Sequence, residues 1–143
     1  MTAFLTRIKP PLTGISSLAI GADQIFAEVV LELQGSLEAV VPFENYERTF
    51  DNEVDLARFH LLRAAASKIE ILTHAPNDEE AYLTAGKRTV ALSETLIAVW
   101  DGLPALGVGG TAQIVEFAQQ VGVPVIHLNP VNTTIRKLLP QTT

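Results

Sequence analysis

The 143-residue sequence contains no cysteine, which excludes disulfide scaffolds, thiolate metal sites and cysteine nucleophiles. Basic residues are also few: 10 Lys and Arg against 16 Asp and Glu give a formal net charge of −6. This balance disfavours a domain that grips nucleic acid, because such domains are usually basic. The sequence lacks an apolar run near the ~20 residues that span a bilayer, and the opening MTAFLTR lacks the apolar stretch of a signal peptide. We therefore expect a cytoplasmic protein that binds neither nucleic acid nor membrane.

The remaining composition is that of a core-forming chain, since 48% of the residues are hydrophobic and 18% are charged. Short β-rich apolar runs alternate with apolar stripes of helical spacing. In the first predicted helix the stripe that we expect to pack inward consists of Ile25, Phe26, Val29, Val30 and Leu33. This alternation predicts an α/β fold, a Rossmann-like three-layer domain with a mostly parallel sheet of about five strands. The predicted strands are Leu12–Ala19, Leu37–Phe43, Ile69–Thr73, Thr95–Trp100 and Val123–Leu128, and the predicted helices are Gln24–Leu33, Asn52–Ser67, Asn77–Ser93 and Thr111–Val121.

Two terminal segments flank the predicted domain, which covers residues 12–129. Residues 1–11 are expected to form an irregular arm or a short edge strand. Residues 130–143 include Ile135, Leu138 and Leu139 and are expected to form a short helix that packs on a neighbour.

The first candidate site lies in the loop after the first predicted strand, because ligands of open parallel sheets bind beyond the carboxyl ends of the strands. The candidate residues are Ser17, near the end of the predicted strand, and Gly21, Ala22 and Asp23, which follow it. Gly21 allows a tight turn, and the start of the following helix favours an anion. Asp23 has two interpretations, a cap or charge at the helix N-terminus, or an acceptor for a ribose hydroxyl.

The second candidate site follows the strand that ends at Trp100. Its glycines expose backbone amides to a phosphate, with a helix dipole behind them. Asp101 would accept from a sugar hydroxyl, and Thr111 would cap the helix or donate to the phosphate; the alternative is a flexible loop with a capping Thr111. No lysine follows the glycines, so this is not a Walker motif. The candidate residues are Trp100, Asp101, Gly102, Gly107, Gly109, Gly110 and Thr111.

Two tyrosines and a proline complete the candidate residues. Pro42 lies at the end of the second predicted strand and Tyr46 in the loop after it, and Tyr82 lies one turn into the third predicted helix. Either tyrosine would border a base, or would pack within its own domain. The three histidines have no metal-ligand spacing, so we expect no metal and no other cofactor.

Two stretches of the sequence resemble the SLOG superfamily, the Rossmann-like relatives of the DNA-processing protein and of the cytokinin-activating lonely guy enzymes. Residues 16–28, SSLAIGADQIFAE, are similar to its S-L-A-x-G-A-D-x-x-F-A segment. Residues 98–112 are similar to its A-V-W-D-G … G-G-T-A segment. The resemblance implies a nucleotide-binding domain, often a homo-oligomer. Some members hydrolyse an N-glycosidic or phosphoribosyl bond, and others only sense a nucleotide-derived signal.

The enzymatic signature P-G-G-x-G-T-x-x-E is incomplete in this chain. The leading proline is missing, and Glu116 lies five residues after Thr111 instead of three, so the catalytic glutamate does not carry over. We therefore expect binding or sensing of a nucleotide or an ADP-ribose-like molecule. The first alternative is a nucleoside or nucleotide N-glycosidase or phosphoribohydrolase that uses Asp101, Asp23 or Glu44, and the second is an assembly domain without a ligand.

Overall fold

A computed structural model describes residues 1–73, 75–104 and 110–138. The chain forms two compact units, residues 1–73 and residues 74–143. Helices alternate with strands, and the strands pair in two sheets of three. The α/β class is therefore confirmed, and one of the two sheets is entirely parallel. The described strands pair in threes, so a single sheet of about five strands is not shown.

The first unit is built on a parallel sheet with the strand order β1-β2-β3. Thr13 pairs with Ser36 across β1 and β2, and Val41 pairs with Ile71 across β2 and β3. A short 3-10 helix, Tyr46–Thr49, follows β2. The strands are β1 Thr13–Ser16, β2 Ser36–Val41 and β3 Lys68–Ile71, and the helices are α1 Thr2–Leu5, α2 Ala22–Glu32 and α3 Glu53–Ala65.

One predicted core position of α2 is wrong. The apolar stripe predicted that Ile25 packs inward, but its side chain is half exposed, while Gln24 beside it is fully buried. The reason is hydrogen bonding, because the Gln24 amide donates to the carbonyls of Leu18 and Asp55 inside the unit. With these partners, a polar side chain occupies the buried face of the helix.

The second unit contains the sheet β4-β5-β6, in which β4 and β5 are parallel and β6 is antiparallel to β5. The core lies between this sheet and two helices, with Ala98 and Val125 packed against Val90 and Val115. The helices approach closely at Gly86, where a Cβ atom would lie 2.8 Å from Ile114 Cγ1. The elements are α4 Asp78–Ala91, β4 Leu96–Val99, α5 Thr111–Gln120, β5 Val125–Asn129 and β6 Thr134–Leu138.

The two terminal segments differ in part from the sequence expectation. Residues 2–5 form α1, whose Leu5 is only 2% exposed, whereas residues 6–11 contain neither helix nor strand, as expected for an irregular arm. The segment after β5 forms β6 and not a helix, because a turn with Thr133 in the left-handed region (φ 55°) returns the chain along β5. Ile135 is 63% exposed on that strand, and Leu139 lies outside the described residues.

Within the described ranges, no helix is both long and apolar enough to cross a bilayer.

Candidate functional site

The N-terminus of α5 lies at the carboxyl edge of β4 and β5, because α5 connects these two parallel strands. Gly110 is the N-cap residue, with φ −76° and ψ 163°, and as a glycine it supplies no side chain to cap the helix. Thr111 is the first helical residue, so it does not fill the capping role that the sequence allowed. Gly107 and Gly109 of the same predicted loop lie outside the described residues.

The beginnings of the four longer helices differ in a way that matters for anion binding. Asn52 caps α3 by accepting from the Asp55 amide at 2.8 Å, and Asn77 caps α4 by accepting from the Glu80 amide at 2.9 Å. By contrast, α2 and α5 have glycine at the N-cap position, and glycine has no side chain to act as an acceptor. The first N–H groups of an α-helix lack partners within the helix. The two helices that follow the predicted loops are thus those whose N-cap residue supplies no side-chain acceptor.

The segment Trp100–Gly102 forms a compact turn beyond β4. The Asp101 Oδ1 atom accepts from the Leu103 amide at 2.9 Å, and the Trp100 indole N–H donates to the Leu103 carbonyl at 2.9 Å. Gly102 has φ +85°, a conformation that favours glycine. Asp101 is exposed, so its carboxylate faces solvent at the edge where the sequence predicted an acceptor for a sugar hydroxyl.

His127 on β5 lies beside this turn, although the sequence did not single it out. It is 7% exposed, its Nε2 lies 2.7 Å from the Trp100 carbonyl oxygen, and its ring centroid lies 4.9 Å from that of Trp100. One signal could have indicated it: a histidine that interrupts the apolar run Val125–Leu128 two residues before Asn129, so that both polar side chains share one face.

The turn between β1 and α2 has an unusual backbone. Gly21 has φ 93° and ψ −123°, and apart from its two chain neighbours no heavy atom of the described residues lies within 4 Å of the position that a Cβ would occupy. Leu18 is left-handed, with φ 59°, and its amide donates to the Ser16 hydroxyl at 3.0 Å. The open space at Gly21 leaves the start of α2 accessible from that side.

The Asp23 carboxylate holds this turn together. It accepts from the Ala19 amide at 3.2 Å and also from the Ser17 amide. Removal from water raises the pKa of this carboxyl above its usual value of 3.8, and the two amide hydrogen bonds oppose that shift. Asp23 therefore stabilises the loop next to Ser17 and Ala22, and its contact with a ribose hydroxyl stays a prediction.

Gln24 is a second residue that the sequence did not indicate. Its Nε2 donates to the Leu18 carbonyl at 3.2 Å and to the Asp55 carbonyl at 3.3 Å, which connects the turn to the first turn of α3. Its buried Oε1 has no hydrogen-bond partner in the described part of the chain. No sequence signal separates such a glutamine from an exposed one on the same helix.

Pro42 and Tyr46 belong to the core of the first unit. Pro42 is fully buried and Tyr46 is 2% exposed. The Tyr46 ring makes edge-on contacts with Phe43, Phe50 and Phe59 at centroid distances of 5.6, 5.4 and 5.6 Å. Of the two interpretations given for Tyr46, the structure therefore shows packing within its own domain. Both Pro42 and Tyr46 are too buried in this structure to present a surface to a base. Tyr82, on α4 of the second unit, is half-buried.

The structure thus groups the candidate residues separately in each unit. The first unit joins Ser17, Gly21, Ala22 and Asp23 in one turn. The second unit joins Trp100, Asp101 and Gly102 to His127.

No group of three or more His, Asp or Glu side chains in residues 1–73, 75–104 and 110–138 is close enough to hold a metal ion. No protein-family model and no curated protein sequence matches this chain.

Proposed function

We propose that this chain binds a nucleotide or a nucleotide-derived, ADP-ribose-like molecule and does not hydrolyse it. The observation that carries the proposal is the uncapped start of α5 at Gly110, at the same sheet edge as the exposed Asp101 carboxylate. Helix amides that the N-cap residue leaves without a side-chain acceptor suit a phosphate, and a carboxylate suits sugar hydroxyls.

The roles follow from the chemistry of each group in the second unit. The first amides of α5 and the Thr111 hydroxyl donate to phosphate oxygens. Asp101 accepts from the ribose, and the partly exposed Trp100 ring borders the base. A charge-assisted hydrogen bond contributes roughly 1.5–3 kcal/mol, so a few of them support micromolar binding without a catalytic group.

The start of α2 enters the proposal as a second anion site, because Gly21 leaves it uncapped and unobstructed. The proposal also includes the finer fold that the resemblance implies, a SLOG-type Rossmann-like three-layer domain with about five strands in one sheet. A cytoplasmic homo-oligomer is part of the same proposal.

Calorimetric titration with a panel of nucleotides, including ADP-ribose, tests the proposal at about 100 μM protein. Asp101→Asn keeps an oxygen for the Leu103 amide but removes the charge, so the affinity should fall roughly 10- to 150-fold. Asp51→Asn, which removes an exposed carboxylate elsewhere, should bind like the wild type.

Absence of heat with every nucleotide would refute the proposal. Chromatography of the same mixtures separates sensing from catalysis, because a released free base would indicate the N-glycosidase alternative.

A further inference from the structure

We propose that His127 is a positioning residue of this nucleotide site, which holds the Trp100–Gly102 turn in the form that presents the Asp101 carboxylate to the ribose hydroxyls. The inference rests on the proposed function and extends it to a residue on the neighbouring strand. The role is structural support of a binding group, and His127 itself is not assigned a contact with the ligand.

The backbone pairing of β4 and β5 explains why a side chain is needed here. The Trp100 amide donates to the Leu128 carbonyl at 3.0 Å, so the parallel ladder continues one residue past Val99. The next donor in this ladder would be the amide of residue 130, because each residue of a parallel strand bonds the two neighbours of its partner. Residue 130 is a proline and has no N–H.

His127 supplies the missing donor to the Trp100 carbonyl. Its Nε2 lies 2.7 Å from that oxygen, and a carbonyl only accepts hydrogen bonds, so Nε2 carries the hydrogen. Asn129 repeats the arrangement one step further along, since its side-chain amide donates to the Asp101 carbonyl at 3.4 Å. Two side chains on one face of β5 thus fix two successive carbonyls of the turn.

The imidazole also packs against the turn on two sides. Its ring lies against the Trp100 indole, with an angle of 36° between the ring planes. A Cβ atom at Gly102 would lie 3.7 Å from the His127 Cε1 atom, which is van der Waals contact. The turn therefore packs against the His127 imidazole, which is almost fully buried.

A carboxylate held in place before binding loses less freedom when the ligand arrives, which strengthens binding without a new contact. If the Trp100 carbonyl loses its donor, the turn becomes free to rearrange. Affinity for ADP-ribose should then fall about tenfold, although no atom that touches the ligand has changed.

Two substitutions separate the hydrogen bond from the ring. His127→Phe keeps a flat ring and removes the donor, whereas His127→Gln keeps a donor near the Nε2 position and removes the ring. We expect His127→Phe to bind ADP-ribose about tenfold more weakly and His127→Gln to bind within about twofold of the wild type. Thermal unfolding of both variants checks that they are folded.

A ligand-independent signal reports the turn itself. Trp100 is the only tryptophan, so the protein has one indole N–H resonance, and that group donates to Leu103 inside the turn. Its hydrogen exchange should accelerate in His127→Phe and remain slow in His127→Gln.

The outcomes distinguish this inference from the proposed function. If the wild type binds no nucleotide, both fail. If the wild type binds and folded His127→Phe binds equally well, or if His127→Gln loses affinity as His127→Phe does, only the positioning role is overturned. Should His127→Phe not fold, the inference can still be refuted, because it requires His127→Gln to keep near wild-type affinity and slow indole exchange.

Discussion

Substitution of Gly110 by aspartate should stabilise the protein and weaken ligand binding at the same time. Gly110 has φ −76° and ψ 163°, a conformation open to any residue, so the change requires no backbone movement. An aspartate there accepts from the first-turn amides of α5 and places a negative charge at the positive end of the helix dipole. We expect the free energy of unfolding to rise by about 0.5–1 kcal/mol, which corresponds to roughly 1–4 °C in melting temperature.

The same carboxylate occupies the amides that the proposed function assigns to a phosphate, and it repels that phosphate. Loss of two charge-assisted hydrogen bonds, at roughly 1.5–3 kcal/mol each, should weaken nucleotide binding at least about 100-fold. Stability and affinity therefore change in opposite directions, which general damage to the fold does not produce.

The measurements are thermal unfolding and calorimetric titration of the wild type and Gly110→Asp. Asn77→Asp is the matched control, because it adds one negative charge at the N-cap of α4 and should leave affinity unchanged. A more stable Gly110→Asp with wild-type affinity would show that the phosphate does not bind at α5. A lower melting temperature would refute the account of the helix start.

Three further predictions concern the first unit. Gly21→Ala should lower the free energy of unfolding, measured in urea, by about 1–3 kcal/mol, because φ 93° with ψ −123° is strained for any residue with a Cβ atom. Steric contact is not the cause, since there is open space at the Cβ position. A loss below about 0.5 kcal/mol would contradict this prediction. Burial raises the pKa of Asp23, so the folded state binds its proton more tightly than the unfolded chain does. The free energy of unfolding of the wild type, relative to that of Asp23→Asn, should therefore fall as the pH rises from 3.8 through the raised pKa. The two proteins are unfolded in urea at a series of pH values, and a difference in stability that does not change with pH would refute the prediction. Tyr46→Ala should lower the free energy of unfolding in urea by about 3–5 kcal/mol, since Tyr46 is a core residue. A loss of nucleotide affinity without a loss of stability would instead support the interpretation that Tyr46 borders a base.

Local sequence patterns predicted the elements because their causes are local. Asn77, at which the predicted helix begins, caps α4, and the apolar run before Trp100 forms β4. Predictions failed where a partner distant in sequence decided the outcome. The exposed Ile25 is an example, because Gln24 is held inward by a carbonyl 31 residues away.

The candidate site shows the same division. The sequence was sufficient to predict that α2 and α5 follow glycine-containing loops and that Asp101 lies beyond a strand end, because these features depend on the local properties of glycine and aspartate. Tyr46 was not, since an aromatic residue after a strand suits both a ligand and a core, and only its contacts with three phenylalanine rings distinguish them.

The order of amino acids by itself determined the alternation of strands and helices, the uncapped glycine starts and the proline that ends the β5 ladder. The tertiary structure alone decided that His127 supports Trp100, a contact across 27 residues. The physical reason is register: side-chain chemistry acts over a few ångströms, and strand pairing determines which distant residues come within that range.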